Sequence, residues 1–411
     1  MKTTKDLYFD WAATAPVDED ICREATEVAL TYYGNPSSEH LQGSESKKIL
    51  EEARERCATT LGVNAGTLYF TSGGTESDHI PLLALLQRPA PGTVIISAIE
   101  HPAIREQAHM LKHQGWKVLE AKPNSQGIVS PQTIENLLTD DTVLVCLMAV
   151  NNEIGTLQPI YQVADMLKDK AKITGKRRVK LHVDCVQAAG KVPLCLNYPG
   201  IDSAAFSAHK IGGPRGIGLL YLAQKQEVYV RGGGQEGGIR SGTENIAGAW
   251  ALSRCLEKYY IAGEFPKNGA KNNDTASQFE IKKPTPIQSA TYERYLRQQS
   301  YTADFINTLK NMGTTLIPER TSEDFSPWIV QAAFKGLPGQ VLVRALSEKG
   351  IAISTGSACS SRKISRPVLE AMGIDKELAS RGVRFSFGFS TTKKSMETLV
   401  QELKEITKLF S

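Results

Sequence analysis

The sequence lacks any long apolar run. Its 411 residues contain no stretch that approaches the roughly 18 uncharged apolar residues of a membrane helix. The N-terminal segment MKTTKDLYFDW also lacks the apolar centre of a secretory signal peptide. We therefore expect no membrane partner and a cytoplasmic location.

Paired cysteines and a strong charge excess are missing as well. The 7 cysteines include no Cys-x-x-Cys pair, which argues against a disulfide framework or a thiolate metal site. The 48 Lys and Arg residues exceed the 44 Asp and Glu residues by only 4, far from the clustered basic surface of a nucleic-acid-binding protein. We expect neither a metal nor a nucleic-acid partner.

Short apolar runs alternate with helical patterns through the first half of the chain. TLYFTSG precedes TESDHIPLLALLQ, VIISAIEH precedes AIREQAHMLKHQG, and SAAFS and GIGLLYL continue the strands to residue 222. This order predicts an α/β fold with a largely parallel sheet. Such sheets hold ligands in the loops beyond the carboxyl ends of their strands.

The chain is longer than one core usually supports, so we expect two domains. Residues 15–260 are predicted to form the large domain. Residues 1–14 and 261–411 are predicted to form a smaller α+β domain, with a helix over 289–313 and strands in WIVQAAFKG and VRFSFGFST. Residues 261–290 are polar and have no period, which indicates an exposed insertion or a domain seam.

The segment TSGGTESD places two glycines and a threonine between a predicted strand and a predicted helix. Free N–H groups at the positive end of a helix suit a phosphate, so Gly74 and Thr75 are candidate phosphate ligands. A tight strand-to-helix turn without a ligand explains the same residues. This segment alone does not decide between the two interpretations.

A lysine follows another predicted strand in FSAHK, where Lys210 lies beside Ser207 and His209. A lysine there can form a Schiff base while its neighbours hold a phosphate. Upstream, Asp184 falls late in an apolar strand and would need a cationic partner, such as a pyridinium nitrogen. Gln187 can donate to the ring oxygen of the same cofactor. A solvated lysine and a helix-capping aspartate are the alternative interpretations.

Two further strand ends carry polar side chains. His101 follows VIISAIE, where an imidazole can stack on a cofactor ring and transfer protons at neutral pH. Asn152 follows the next strand, where its amide can contact the cofactor or the substrate. A structural role explains either residue taken alone, so both interpretations depend on Lys210.

Taken in order, these segments resemble the class V aminotransferase family, and most closely its cysteine desulfurases. The resemblance implies the fold-type I architecture of PLP-dependent transferases, with a large, mainly parallel sheet domain and a smaller α+β domain. The matching segments span nearly the whole chain. They are DWAATAPVD (10–18), GNPSSEH (34–40), TSGGTESD (71–78), EHPAI (100–104), VNNEIG (150–155), HVDCVQAAGK (182–191), FSAHKIGGPRGIG (206–218), GGGQEGGIRSGTEN (232–245), STGSACSS (354–361) and VRFSFG (383–388).

The resemblance implies how the chain holds pyridoxal 5'-phosphate. Lys210 is similar to the Schiff-base lysine that also moves the α-proton, and His101 to the acid/base that stacks on the ring. Asp184 is implied to contact the ring nitrogen and Gln187 the ring oxygen. The implied phosphate ligands are Gly74, Thr75, Ser207 and His209, together with Thr243 from the second subunit of a homodimer.

The substrate implied by the resemblance is L-cysteine. The residues implied to contact it are Asn35, Asn152 and Arg384. Arg384 is suited to clamp the substrate carboxylate because a guanidinium binds a carboxylate through two parallel hydrogen bonds.

Cys359 is implied to accept sulfur, on a mobile loop at about residues 352–366. Its small neighbours suit a segment that enters the site and leaves again. In the implied reaction Lys210 removes the α-proton, the Cys359 thiolate attacks the substrate sulfur, and alanine is released. The persulfide sulfur then passes to an acceptor, typically a scaffold protein for iron–sulfur clusters or another thio-cofactor. A buried structural cysteine is the alternative interpretation of Cys359.

Four features depart from the family pattern. Trp11 and His79 stand where asparagine is usual, Gly237 stands where arginine is usual, and FGFSTT at 387–392 lacks the arginine of LGRFTT. These departures leave open the rim of the cofactor pocket, the route of the sulfur and the identity of its acceptor, and two other functions also stay open. One is a selenocysteine lyase or a related enzyme that needs no acceptor cysteine, and the other is an inactive scaffold of a cluster-assembly complex.

Overall fold

The computed structural model describes residues 5–263, 286–320, 324–356 and 366–410. Cys359 and most of the polar segment 261–290 lie outside these ranges, so the insertion or seam stays a prediction. Within the described ranges, no helix is both long enough and apolar enough to span a bilayer.

The described residues contain ten strands in two sheets. The larger sheet has the order β1-β7-β6-β5-β4-β2-β3 and the smaller has the order β10-β9-β8. The bounds are β1 (Leu68–Thr71), β2 (Thr93–Ser97), β3 (Lys117–Ala121), β4 (Thr142–Cys146), β5 (Lys180–Asp184), β6 (Ser203–Ser207), β7 (Gly218–Leu222), β8 (Thr315–Leu316), β9 (Ile329–Ala333) and β10 (Gly382–Ser386).

The larger sheet is mainly parallel, as predicted. Strand β7 is antiparallel to both of its neighbours, and the other four pairs are parallel. All residues of β1, β2, β6 and β7 are buried, which explains why these strands are continuous apolar runs rather than alternating ones. The carboxyl ends of β1, β2, β4, β5 and β6 consequently meet at one edge of the sheet.

Helices cover the sheets and begin at recognisable caps. The Asp18 side chain accepts from the N–H of Ile21 at the start of α1, and Thr392 and Ser395 form a capping box on α12. Within the described residues the α-helices are α1 (Glu19–Thr31), α2 (Leu41–Leu61), α3 (Gly74–Leu83), α4 (Pro102–His113), α5 (Pro131–Glu135), α6 (Ile160–Thr174), α7 (Ile246–Tyr259), α8 (Pro286–Asn311), α9 (Gly339–Glu348), α10 (Pro367–Ala371), α11 (Lys376–Arg381) and α12 (Lys393–Lys408).

The smaller sheet is antiparallel and has a hydrophobic core of its own, which includes Phe9, Phe305 and Phe385. The N-terminal residues join this core because Phe9 donates its N–H to the carbonyl of Ala352 and accepts from the N–H of Ser386, both at 2.8 Å. The division of the chain at residues 15 and 260 stays a prediction.

Candidate active site

A pocket of about 640 Å³ lies at the edge of the larger sheet where the strand carboxyl ends meet. The pocket brings together predicted site residues from five strand ends of this sheet and from β10. These are Gly74, Thr75, His101, Asn152, Asp184, Gln187, Ser207, His209, Lys210 and Arg384.

Three predicted site residues are not among the lining residues. Asn35 and Thr243 are exposed and lie outside the pocket of their own chain. Cys359 lies outside the described residues. The described chain on either side of its segment does reach the pocket, because Gly356 and Pro367 both line it.

Lys210 ends a short 3-10 helix, Ala208–Lys210, that directly follows β6. Its Nζ donates to the carbonyl of Ala12 at 2.7 Å and to that of Ala13 at 2.6 Å. Two carbonyl acceptors at these distances stabilise a protonated amine, since hydrogen bonds to a charged donor are the stronger ones. The N-terminal segment therefore holds the lysine in the pocket.

His101 is the N-cap of α4, directly beyond the end of β2. Its Nδ1 accepts from the N–H of Ala103 at 3.1 Å, which places the proton of the neutral ring on Nε2. Burial, assisted by the charge of Lys210, lowers the pKa of His101 to about 4. At neutral pH the imidazole is therefore uncharged.

Asp184 ends β5 and is only 6% exposed. Its Oδ1 accepts from the N–H of Val186 at 2.8 Å. Burial, with a further contribution from Asp78, raises the pKa of Asp184 to about 8. A positive ring nitrogen beside this carboxyl would favour its ionised form, which is the partner that a pyridinium needs.

Three more buried carboxyl groups line the pocket, those of Asp78, Glu100 and Glu153, and none of them was predicted. Glu100 accepts from the N–H of Met148 through Oε1 at 2.7 Å, whereas its Oε2 has no partner among the described residues. Asp78 lies 3.1 Å from Nε2 of His182. Burial raises the pKa of Asp78 and of Glu100 well above their usual range, and it also raises the pKa of Glu153. Glu100 directly precedes His101 at the strand end, and this adjacency could have revealed it.

The first turn of α3 forms the anion-binding end of the pocket. The helix begins at Gly74 without a side-chain cap, so its first N–H groups keep their capacity to bind an acceptor. Glycine is required there because a Cβ at residue 74 would lie 2.6 Å from Cγ2 of Val186. The side chains of Thr75 and Ser207 line the same pocket, which suits a phosphate group.

Arg384 extends from β10 and is 2% exposed. Its Nη2 donates to Oδ1 of Asp10 at 2.7 Å, and its Nη1 donates to the carbonyl of Asn152 at 2.8 Å. A longer contact of 3.4 Å joins Nη1 to the carbonyl of Gly356. The Nε group has no acceptor among the described residues, so the guanidinium retains a donor for a ligand carboxylate.

The α/β fold and this pocket define a pyridoxal-phosphate-dependent enzyme. Lys210 can hold the cofactor, Asp184 can face the ring nitrogen, and the uncapped start of α3 can bind the phosphate. The chain belongs to the Aminotransferase class-V family, whose sequence model matches residues 7–282 and 287–399. This membership confirms the resemblance, the fold class and the cofactor.

Curated relatives and solved structures match over almost the full length. A protein named cysteine desulfurase IscS from Pseudomonas entomophila is 33% identical, with 98% of this chain and 93% of the relative covered. Another of that name from Dictyoglomus turgidum is 30% identical, with coverages of 98% and 94%. A solved structure described as a NifS-like protein gives a TM-score of 0.84 at 31% identity and covers 98% of this chain and 100% of its own.

Proposed function

We propose that the protein is a cysteine desulfurase that converts L-cysteine to L-alanine and transfers sulfur to Cys359 as a persulfide. The observation that carries this proposal is the arrangement of the pocket. It combines Lys210, a group able to move the α-proton, with Arg384, a carboxylate clamp, and it is bordered by the chain on both sides of the segment that contains Cys359.

The covalent chain limits how far Cys359 can be from the pocket. Consecutive Cα atoms are about 3.8 Å apart, so three peptide units place Cys359 within about 11 Å of Gly356, which lines the pocket. Val368 lines the pocket on the other side of the same segment. This short reach supports Cys359 as the sulfur acceptor.

The cofactor would be held at both of its ends. Asp184 would keep the ring nitrogen protonated, and the first turn of α3, with Thr75, Ser207 and His209, would bind the phosphate. When bound, pyridoxal phosphate supplies an electron sink for the pair left at the substrate α-carbon. The Nε2–H of His101 is available on the neutral ring for a hydrogen bond or a proton transfer.

Proton transfer at the α-carbon is assigned to Nζ of Lys210. The amine would accept the proton in its neutral form, and the carbonyls of Ala12 and Ala13 would then stabilise the ammonium. Arg384 would fix the substrate carboxylate through its charge and its unpaired Nε–H, which orients the α-hydrogen.

Sulfur transfer needs no external oxidant or reductant. The Cys359 thiolate attacks the substrate sulfur, a sulfur–sulfur bond forms, and the bond between Cβ and sulfur breaks. The electron pair remains with Cβ, which takes up a proton and becomes the methyl group of alanine. The enzyme thiol becomes a persulfide, from which an acceptor or scaffold protein removes the terminal sulfur for cluster or thio-cofactor synthesis.

The test measures alanine and persulfide formed from L-cysteine by the holoenzyme. We expect equimolar products from the wild type and from Cys22→Ala, a control at an exposed cysteine, and neither product from Cys359→Ala. Normal alanine release by Cys359→Ala, or turnover of selenocysteine alone, would favour a lyase. A colourless protein that takes up no pyridoxal phosphate would favour an inactive scaffold.

We also propose a homodimer, because Asn35 and Thr243, the two predicted site residues that the structure describes outside the pocket, are both exposed. Large apolar side chains that precede these two residues in the sequence are exposed as well. Tyr33, before Asn35, is 75% exposed, and Val230, before Thr243, is 63% exposed. A second copy that covers these segments would bury them and bring Thr243 to the neighbouring site.

Mixed dimers test this arrangement. Lys210→Ala and Thr243→Ala are each expected to lower activity, the first by removing the amine and the second by removing a phosphate ligand. Co-expression should restore activity, since one site of the mixed dimer receives an intact Lys210 and an intact Thr243. Activity that stays at the level of the separate variants, or a monomer by light scattering, would contradict the proposal.

We propose a cytoplasmic location because the described cysteines form no disulfide bonds. The six cysteines among the described residues are all free, as expected in a reducing compartment. Cell fractionation should recover the protein with cytoplasmic markers, and recovery in the membrane or extracytoplasmic fraction would contradict this location.

A further inference from the structure

Lys191 is a buried lysine that does not line the pocket. It is 3% exposed, and its Nζ donates to Oε1 of Gln187 at 2.5 Å. No other side chain among the described residues bonds its amine. Burying a lysine costs free energy and is rare without a specific partner, so the contact with Gln187 indicates a functional role for Lys191.

The contact determines which way the Gln187 amide faces. In the observed orientation Lys191 donates to Oε1, and Nε2 donates to the carbonyl of Ala12 at 2.9 Å. A reversed amide would place its NH₂ beside the Lys191 amine, so that two donors would face each other. It would also place its oxygen beside the Ala12 carbonyl, so that two acceptors would face each other. Lys191 and Ala12 therefore select one orientation by two hydrogen bonds at once.

The same contacts connect Gln187 with the lysine that would hold the cofactor. The carbonyl of Ala12 accepts from Nε2 of Gln187 and from Nζ of Lys210. A continuous line of hydrogen bonds thus runs from Lys191 through Gln187 and Ala12 to Lys210. Burial, assisted by the charges of Lys210 and Arg384, lowers the pKa of Lys191 well below its usual value.

We propose that Lys191 is a positioning residue that fixes the Gln187 amide so that its NH₂, and not its oxygen, is presented to the ring oxygen of pyridoxal phosphate. This inference rests on the proposed function because it needs that cofactor in the pocket. The ring oxygen is an acceptor when ionised, so a correctly oriented NH₂ stabilises the ionised form and a reversed amide repels it.

The first experiment compares Lys191→Met with Lys180→Met, the same substitution at the amino end of β5, away from the pocket. Apoprotein is titrated with pyridoxal phosphate, and the visible absorption of the holoenzyme is titrated with pH. We expect Lys191→Met to bind the cofactor roughly tenfold more weakly, as for the loss of one oriented hydrogen bond. The pH midpoint of the absorption should rise by about one unit. Lys180→Met should match the wild type in both.

A double-mutant cycle then asks whether Lys191 acts through Gln187. Gln187→Ala should weaken cofactor binding and raise the midpoint, and adding Lys191→Met to it should change neither quantity further. Full additivity of the two substitutions, or a Lys191→Met protein with wild-type affinity and midpoint, would overturn the proposal. A wild-type protein that takes up no pyridoxal phosphate would instead overturn the proposed function.

A further variant keeps Lys191 in place and covers the case in which Lys191→Met does not fold. Gln187→Glu retains an oxygen for Lys191 and exchanges the NH₂ for a second oxygen. We expect it to bind pyridoxal phosphate more weakly than Gln187→Ala does, since that oxygen meets the ring oxygen. Wild-type affinity of Gln187→Glu would show that the orientation of the amide does not matter.

Discussion

Arg384 and Asp10 form an ion pair of 2.7 Å although they are 374 positions apart in the chain. The arginine that is proposed to hold the substrate carboxylate is thus already oriented by a carboxylate of its own chain. Its Nε stays without an acceptor among the described residues. The ion pair fixes the guanidinium plane, and the remaining donor is left for the substrate.

Replacing Arg384 by lysine should raise the KM for L-cysteine at least about tenfold, because a single ammonium cannot serve both Asp10 and a second carboxylate. Uptake of pyridoxal phosphate should remain. Steady-state kinetics and visible absorption provide the measurements. Arg178→Lys is the control, since Arg178 pairs with Asp202 through two hydrogen bonds away from the pocket. An unchanged KM in Arg384→Lys would refute the clamp.

Asp184 should make the apoprotein less stable as pH rises. Its pKa is about 8 in the folded chain against a usual 3.8, so the folded state keeps a proton that the unfolded state releases. The stabilisation present below about pH 4 is therefore lost as pH rises towards about 8. Asp184→Asn cannot titrate, and the Tm of the variant minus that of the wild type should increase from pH 5 to pH 8. A constant difference would contradict the raised pKa.

His101→Gln should lower kcat at least about a hundredfold if the imidazole transfers a proton during the reaction. The pKa of about 4 means that the ring of the free protein is neutral at every working pH. His109→Gln, at an exposed position of the same helix, is the control and should retain full activity. A variant at position 101 with normal kcat would limit this residue to its capping contact with Ala103.

A buried ion pair should dominate the stability of the chain near β1. Arg54 binds Glu236 through two hydrogen bonds of 2.7 and 2.8 Å, and the Glu236 side chain is 1% exposed. Removing the Glu236 charge leaves the buried Arg54 guanidinium with only the half-exposed Glu51 as an ionic partner, so Glu236→Gln should cost about 3 kcal/mol in the free energy of unfolding. Denaturant unfolding measures this change in the free energy of unfolding. Glu227→Gln, in an exposed pair with Arg231, should cost less than about 1 kcal/mol, and equal losses would contradict the argument.

Two departures from the family pattern contact each other. The ring of Phe389, in FGFSTT, lies edge-on to Trp11 with centroids 5.6 Å apart. Trp11 also covers Gly388, where an added Cβ would lie 1.9 Å from Cδ2 of the indole. Gly388→Ala should therefore lower the Tm of the protein. In the Trp11→Ala background, Gly388→Ala should lower the Tm much less. Equal effects of Gly388→Ala in both backgrounds would contradict the packing.

The strands that are buried on both faces could be predicted from the sequence, because a continuous apolar run such as VIIS or SAAFS can be recognised without tertiary information. Strand β3 was missed because only two of its five positions are buried, and KVLEA carries no continuous apolar run. The predicted residues of the pocket were found because polar side chains follow these strands. Glu100 and Lys191 were not found, because the burial of a charged residue depends on neighbours that are distant in the chain.

The remaining gaps have other physical causes. Arg384 was predicted as a clamp, but its pairing with Asp10 depends on contact between opposite ends of the chain. The role predicted for Thr243 requires a second subunit, and Asn35, predicted to contact the substrate, is exposed and lies outside the pocket of its own chain. The mixed-dimer experiment tests the role of Thr243.

The contact between Asp10 and Arg384 also orders events during synthesis. A ribosome produces Asp10 early and Arg384 only 374 residues later, so a growing chain acquires Lys210 and the floor of the pocket well before its guanidinium. A chain cut short before Arg384 would keep the amine and lose the group that orients the substrate. The ion pair that orients the proposed carboxylate clamp therefore forms only after almost the whole chain has been synthesised.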